Sequence, residues 1–187
     1  MNYIETAHPK LTIPPDQRSI KPYLDRGWWA QPKIDGWHVQ IQVNAEGRIL
    51  ALTRNCNHLQ KPIATKLKQL ILENFTPPQG RNVICGEYLP SLGEYHLFDY
   101  VMNENNLLDD TSYQSRYEML PHSSPPLYTV PSTSHWETTD KILIEAQPFV
   151  EGLVLKDPLA TGFHSHSMRR CRIPGHRHST KIKANQE

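Results

Sequence analysis

The chain has 187 residues and a net charge of +1, with 37% apolar and 21% charged residues, which is typical of one globular domain with a real hydrophobic core. No apolar run approaches transmembrane length, and the N-terminus lacks the features of a signal peptide, so we expect no membrane partner. Three cysteines without a CxxC motif argue against a disulfide framework and favour a reducing intracellular compartment, cytoplasmic or nucleoid/nuclear.

The first third of the chain predicts a proline-rich lead-in followed by a hairpin. Pro14 and Pro15 exclude a long helix, so we expect residues 1–27 to be irregular. Residues 37–43 alternate Trp, Val, Ile and Val, predicted to be buried, with His, Gln and Gln, predicted to be exposed. A turn then leads into a second strand at 48–53.

Helices and strands are interspersed in the rest of the sequence. Helical patterns are predicted at 60–75, at 112–120, and from a cap at Thr138 or Thr139 to about residue 147. Short apolar segments predict strands at 83–85, 95–101, 127–130 and 149–156. The following stretch is rich in His, Arg and Ser, and we expect it to be loop-like until residue 181. This order is an α+β pattern.

Several short motifs along the chain contain side chains of the types that act in catalysis or ligand binding. Lys-Ile-Asp-Gly at 33–36 can present a lysine amine from a turn beside a strand, as a nucleophile requires. Five further motifs place charged or aromatic residues in strands or at their ends: Thr-Arg-Asn at 53–55, Cys-Gly-Glu-Tyr at 85–88, His-Leu-Phe-Asp-Tyr at 96–100, Glu-Gly-Leu-Val-Leu-Lys at 151–156 and Lys-Ile-Lys at 181–183.

Taken in order, these motifs resemble those of the nucleotidyltransferase domain shared by ATP-dependent DNA ligases, RNA ligases and mRNA-capping enzymes. The resemblance covers about residues 28–183. It implies an α+β nucleotidyltransferase fold, ATP-grasp-like, with antiparallel sheets flanked by helices and a nucleotide cleft between them. We therefore expect a lead-in at 1–27 and an adenylation domain at 28–187. The OB-fold domain that usually follows in the family is not expected here, and a separate OB-fold partner is one possibility.

The resemblance implies a specific reaction with ATP. Lys33 would attack the α-phosphate, forming a lysine–AMP bond and releasing pyrophosphate. AMP would then pass to the 5′-phosphate of a nick, and a 3′-hydroxyl would seal the strand. Because lysine amines are ordinarily charged at neutral pH, the nucleophile needs cations or a metal nearby to favour its neutral form. Lys156, Lys181 and Lys183 would supply cations, bind the nucleotide and neutralise charge on the α-phosphate.

The resemblance also assigns nucleotide and metal contacts. Glu87 would bind the ribose hydroxyls, and Phe98 would stack on the adenine. Glu151 would hold Mg²⁺ or Mn²⁺. Gln31 and Ile34 flank the nucleophile and would line the adenine pocket. From its place in a strand, Phe98 is equally well explained as a core residue.

Basic residues are the expected contacts to nucleic acid. Arg54 would touch the ribose or the 5′-phosphate of the nick. The C-terminal patch would contact phosphates, through Arg169, Arg170, Arg172 and Arg177. Arg116 either matches an arginine common in ligases or is a helix-surface charge. Asp99 is either a turn residue or a residue that supports a side chain of the site without contacting the ligand.

Three readings of function follow. A monomeric ATP-dependent ligase acting on nicked DNA is favoured. An RNA ligase or a capping guanylyltransferase stays open, because His38 stands where DNA ligases commonly carry arginine. The non-enzyme reading is a nucleotide- or nucleic-acid-binding module without transfer activity. Zinc is disfavoured, because the spacing of the C-terminal histidines and Cys171 does not match paired-ligand motifs.

Overall fold

The computed structural model describes residues 3–6, 8–145 and 148–176, which belong to two compact units. The first unit contains the chain up to residue 5 and residues 36–129. The second contains residues 6–35 and those from 130 onward. The expected α+β class is confirmed. Within the described ranges, no helix combines the length and apolar character needed to cross a membrane.

The elements follow one another in a mixed order. The helices are α1 Gln17–Leu24, α2 Thr65–Phe75, α3 Tyr113–Glu118 and α4 Trp136–Ile144. The strands are β1 Trp29–Ile34, β2 Trp37–Asn44, β3 Ile49–Thr53, β4 Arg81–Leu89, β5 Glu94–Asn103, β6 Asn106–Leu107, β7 Leu127–Thr129, β8 Val150–Lys156 and β9 Met168–Arg172.

The first unit is a six-stranded sheet with α2 packed on one face. Its strand order is β3-β2-β4-β5-β6, all antiparallel, and β7 pairs in parallel with β5. Leu67, Ile71 and Phe75 lie about one helical turn apart on α2 and pack in the same core cluster as Val39 and Ile41 of β2. The hairpin and the helix predicted from periodicity are both present.

The other face of β2 is also buried, contrary to expectation. Gln40 and Gln42 are 0% exposed. The Gln40 side chain donates to the carbonyl oxygen of Ile4 at 3.0 Å and accepts from its amide at 2.9 Å, as a neighbouring strand would. Gln42 accepts from Arg81 at 3.1 Å. Buried amides are tolerated here because they are hydrogen-bonded.

The second unit is a three-stranded antiparallel sheet in the order β1-β8-β9. One face carries Ala30, Leu153, Leu155 and Cys171, which form a core cluster with Ile20 and Leu24 of α1. Trp136 and Leu143 of α4 pack against the same cluster. The opposite face of this sheet carries the polar residues described below.

Three expectations about the second unit are wrong. The lead-in is not wholly irregular, because α1 begins after the proline pair, with the Asp16 side chain accepting from the Ser19 amide at 2.8 Å. Helix α4 is capped at His135, and Thr139 lies inside it with its hydroxyl bonded to the His135 carbonyl. The stretch after residue 156 is not loop throughout, because β9 pairs with β8 and places Cys171 in the core.

Candidate active site

Lys33 lies on edge strand β1, and its amine contacts a carboxylate on the neighbouring strand. Nζ donates a hydrogen bond to Oε1 of Glu151 on β8. The lysine side chain keeps 21% of its surface exposed, whereas the Glu151 side chain keeps 5%. A buried carboxylate is costly unless it is paired, so this contact fixes the position of both groups.

Glu151 reaches Lys33 because the ladder between β1 and β8 is irregular at this point. Lys33 lies opposite Gly152, whereas Ile34 lies opposite Val150, so Glu151 is the extra residue of a β-bulge. In a regular ladder, side-chain alternation would turn Glu151 to the face opposite Lys33. The bulge therefore brings the carboxylate onto the polar face.

The residue after the bulged glutamate has to be glycine. Gly152 has a φ of +145°, and a Cβ there would lie 2.0 Å from the carbonyl oxygen of Cys171. That oxygen belongs to the backbone of β9, so it cannot move without disturbing the sheet. Gly152 thus allows β9 to approach β8 closely beside the carboxylate.

Arg172 on β9 approaches the other oxygen of the same carboxylate. It lies opposite Gly152, and its Nε is 3.6 Å from Oε2 of Glu151. Cations therefore reach Glu151 from both flanking strands, Lys33 from β1 and Arg172 from β9. The Arg172 side chain keeps 49% of its surface exposed.

The two residues expected to line an adenine pocket beside Lys33 lie on different faces of β1. Gln31 shares the face of Lys33, is 2% exposed, and donates from Nε2 to Oγ of Ser132 at 2.9 Å. Ile34 is buried and, by alternation, points to the opposite face of the strand. The Gln31 side chain therefore lies on the same face of β1 as the Lys33 side chain, whereas the Ile34 side chain lies on the other face.

Lys156 lies at the far end of the polar face. It is opposite Trp29, at the start of β1, and alternation puts its side chain on the face of Lys33. Its exposure is 5%. It lies four positions along β8 from Gly152, the partner of Lys33, which is about 13 Å of backbone.

Another group of expected site residues lies on the sheet of the first unit. Glu87 of β4 is opposite His38 of β2, with its Oε1 3.6 Å from Nδ1 of the histidine. The His38 ring lies against the Phe98 ring of β5, with centroids 5.6 Å apart. Three neighbouring strands therefore each contribute one of these side chains to the same face. Phe98 is half-buried rather than part of the core.

Phe98 is also placed by a β-bulge. Gly86 lies opposite Leu97, whereas Cys85 lies opposite Asp99, so Phe98 is the extra residue. Gly86 is required beside this bulge, because a Cβ there would lie 2.6 Å from a carbonyl oxygen of β5. Both bulges thus re-aim a side chain that the sequence motifs single out.

Helix α3 supports the strand that carries Phe98. The Tyr113 hydroxyl donates to the Phe98 carbonyl oxygen at 2.7 Å. Arg116, 1% exposed, donates from Nε to Oδ1 of Asp99 at 2.8 Å and from Nη1 to the Thr111 carbonyl at 2.6 Å. Arg116 is therefore not a helix-surface charge, and Asp99 is its buried partner.

Comparisons with known proteins identify the fold. The sequence matches no protein-family model and no curated protein. A mycobacterial DNA ligase D, solved with ATP and MES, matches with a TM-score of 0.59 at 16% identity, over 78% of this chain and 54% of that one. A Lig E DNA ligase matches with a TM-score of 0.55 at 16% identity, over 91% of this chain and 69% of that one.

RNA ligases share the same architecture. An archaeal ATP-dependent RNA ligase matches with a TM-score of 0.53 at 20% identity, over 89% of this chain and 48% of that one. This chain has the ligase nucleotidyltransferase fold. It spans about half the length of the ligase D and archaeal RNA ligase chains.

The arginines that are expected to contact nucleic acid differ in their exposure and in their contacts within the protein. Arg54 is exposed in the turn that follows β3. Arg169 is held within the second unit, because its guanidinium lies over the Trp28 ring at 5.4 Å and donates to the His166 carbonyl at 2.7 Å. Arg170 donates to Oγ1 of Thr12 at 2.7 Å. Lys181, Lys183 and Arg177 lie outside the described residues.

The histidines and the cysteine considered for a zinc site lie near the C-terminus, and only some of them are described. His178 lies outside the described residues. Among the residues that the structure describes, no group of three or more His, Cys, Asp or Glu is placed to hold a metal ion. Burial raises the pKa of the Cys171 thiol to about 12.

Sequence reasoning missed how Arg172, His38, Tyr113 and Ser132 contribute to the candidate site. The sequence predicts that Arg172 contacts nucleic acid from a loop, and it marks His38 only as a departure from DNA ligases. The signal for Arg172 was present, because Arg-Cys-Arg at 170–172 alternates as a strand does. No local pattern marks Tyr113 or Ser132, whose contacts join positions far apart in sequence.

Proposed function

We propose that this protein is an ATP-dependent polynucleotide ligase that forms a covalent AMP adduct on Lys33. The observation that carries the proposal is the Lys33–Glu151 contact, made across a β-bulge in a domain with the ligase nucleotidyltransferase fold. The Lys33 side chain is partly exposed, as that of a nucleophile must be, and its amine is held in place by a buried carboxylate.

The chemistry of the first step follows from these groups. The Lys33 amine first gives up the proton that carries its charge, and Glu151 is in position to receive it. The nitrogen lone pair then forms a bond to the α-phosphorus of ATP while the bond from that phosphorus to the pyrophosphate oxygen breaks. A second proton leaves the nitrogen, and the product is a phosphoramidate. Lys156 supplies a further cation on the same face.

The nucleoside contacts of the proposal are assigned to Phe98 and Glu87, as the resemblance implies. Phe98 is half-buried and turned out by its bulge, which suits a ring that stacks on adenine. Glu87 on the same face can accept hydrogen bonds from the ribose hydroxyls. His38 contacts both side chains and helps to position them. Gln31, beside the nucleophile in the second unit, offers an amide that can read a base edge.

The residues present are compatible with a divalent metal at Glu151. Mg²⁺ is commonly bound through one or two carboxylates, with substrate phosphates and water completing its shell, so a single buried glutamate is a sufficient protein contribution. Mg²⁺ or Mn²⁺ bound there would neutralise charge on the phosphates. Holding and orienting the Lys33 amine is the work of the chain itself.

The acceptor in the second step is proposed to be the 5′-phosphate of a nick. An oxygen of that phosphate attacks the AMP phosphorus, the bond to Lys33 breaks, and a 3′-hydroxyl then displaces AMP to seal the strand.

An acid-free surface on the first unit supports a nucleic-acid partner. Residues 47–72 contain five Lys or Arg and no Asp or Glu, and all five basic side chains are exposed.

We favour DNA over RNA as the polymer. The Glu-to-Lys motif of β8 resembles that of DNA ligases. An RNA substrate is the second candidate, because two forms of an archaeal ATP-dependent RNA ligase match with TM-scores of 0.53 and 0.55, and because His38 replaces the arginine common in DNA ligases.

Incubation with α-labelled ATP and Mg²⁺ tests the proposal. The protein should take up one AMP, seen as a defined increase in intact mass that excess pyrophosphate reverses. Lys33→Ala should abolish the label, whereas Lys141→Ala, an exposed lysine on α4, should leave it unchanged. Comparing labelled GTP with labelled ATP tests whether the protein is a capping guanylyltransferase. Comparing the sealing of nicked DNA with the sealing of nicked RNA tests which polymer is the substrate. ATP binding without any AMP transfer would overturn the proposal in favour of a binding module.

A further inference from the structure

Two arginines of β9 lie on the face of the sheet that also carries Lys33. Arg170 lies opposite Val154 and Arg172 opposite Gly152, so both belong to the polar face of the sheet. Arg170 is engaged by the Thr12 hydroxyl. Arg172 instead approaches Glu151, the residue that Lys33 contacts.

Arg172 combines two properties that a phosphate-binding residue needs. Its Nε is 3.6 Å from the carboxylate that holds the nucleophile, and its side chain keeps 49% of its surface exposed. A guanidinium carries five donors in a planar fork and stays charged at any working pH. One edge can therefore face Glu151 while another donates two parallel hydrogen bonds to phosphate oxygens.

We propose that Arg172 binds the α-phosphate of ATP beside Lys33, the role that sequence analysis gave to Lys181 and Lys183. The inference rests on the proposed ligase function and adds a residue to it. The Lys-Ile-Lys motif is expected to place two cations, separated by one residue, on one face of a strand. In the structure, β9 fulfils that pattern with arginines.

The proposal specifies what Arg172 does during adenylylation. As the bond to pyrophosphate breaks, negative charge gathers on the oxygens of the α-phosphate, and the guanidinium stabilises it there. The same positive charge holds Glu151 from the side of β9, so the carboxylate keeps its position when the Lys33 amine turns to attack.

Single-turnover labelling with α-labelled ATP tests this assignment. Arg172→Ala should slow adenylylation by about 100-fold or more, the size of effect seen when one donor to a developing oxyanion is removed. Arg172→Lys should recover part of the loss, because the charge returns without the fork. Arg18→Ala, an exposed arginine of α1 without a place in the site, should stay within about threefold of the unmodified protein.

Reversal of the adduct by pyrophosphate separates a catalytic role from a structural one. Arg172→Ala should slow the reverse reaction by the same factor as the forward reaction, while the urea midpoint stays near that of the unmodified protein. Normal labelling by Arg172→Ala, with loss of labelling in Lys181→Ala or Lys183→Ala, would overturn the inference and leave the ligase proposal intact. No labelling of the unmodified protein would overturn both.

Discussion

Glu151 accepts a hydrogen bond from Lys33 only because a β-bulge leaves the glutamate without a partner residue in the ladder between β1 and β8. The carboxylate is 5% exposed and has Arg172 on its other side. Replacement by an amide keeps the shape and removes the charge. We expect Glu151→Gln to lower the rate of Lys33 adenylylation by about 100-fold or more, since an amide can neither receive a proton nor hold a divalent ion as a carboxylate does.

Single-turnover AMP labelling measures this loss. Glu145→Gln, an exposed glutamate after α4, makes the same chemical change away from the site and should label at the normal rate. Circular dichroism should show both variants folded. Normal labelling by Glu151→Gln would mean that the contact seen between Glu151 and Lys33 has no part in the chemistry.

Gly152 and Gly27 both have positive φ angles, but only Gly152 is crowded. A Cβ at 152 would lie 2.0 Å from a backbone oxygen of β9, whereas a Cβ at 27 would have nothing within 4 Å. Gly27→Ala should cost about 1–2 kcal/mol of unfolding free energy, from backbone strain alone. Gly152→Ala should cost about 3 kcal/mol or more, because β9 must also move. Urea unfolding measures both, and equal losses would contradict the close approach of β8 and β9.

Local periodicity was enough to predict much of the fold. The alternation in β2 and the apolar face of α2 are properties of short segments, so they were found without knowledge of the tertiary structure. Burial of Gln40 was not predictable in this way, because it depends on hydrogen bonds to Ile4, 36 residues away in sequence. The motifs predicted Lys33 and Glu151 as one site because the order of the motifs resembles that of a known family.

What the sequence could not show is the register of the strands. The bulges at Phe98 and Glu151 exist only in relation to the partner strand, and no property of either segment alone reveals them. Strand β9 was missed for a related reason. Its Arg- and His-rich surroundings are typical of a loop, and it becomes a strand through pairing with β8 and burial of Cys171.

The ion pair between Arg116 and Asp99 is almost fully buried, with side-chain exposures of 1% and 5%. Removing one partner leaves an uncompensated charge in the interior, so Arg116→Met should cost about 3–5 kcal/mol of unfolding free energy. The double variant with Asp99→Leu should be more stable than Arg116→Met alone, since no buried charge is left. Urea denaturation measures both. Glu118→Ala, at an exposed position of α3, is the control and should cost about 0.5 kcal/mol or less.

Only one of the three cysteines should react quickly with thiol reagents. Cys56 is exposed, whereas Cys85 and Cys171 are buried, and desolvation raises the pKa of the Cys171 thiol to about 12. The thiolate is the reactive species, so Cys171 should react only when the fold opens. A chromogenic disulfide reagent at pH 8 should show one fast equivalent, absent in Cys56→Ser, and three after denaturation. A second fast equivalent in the native protein would contradict the burial of Cys85 and Cys171.

The acid-free surface of the first unit should contribute to nucleic-acid binding without affecting the reaction with ATP. Lys61 and Lys68 are exposed and line one groove beside α2. If each contacts a backbone phosphate, Lys61→Ala and Lys68→Ala should weaken binding to a nicked duplex, and each should reduce the salt dependence, expressed as the slope of log K against log salt, by about 1. Titration of a fluorescent nicked duplex at several salt concentrations measures this, with Lys141→Ala as the control. AMP labelling should be normal in all three variants. An unchanged salt slope in both groove variants would exclude this surface as a contact to the phosphate backbone.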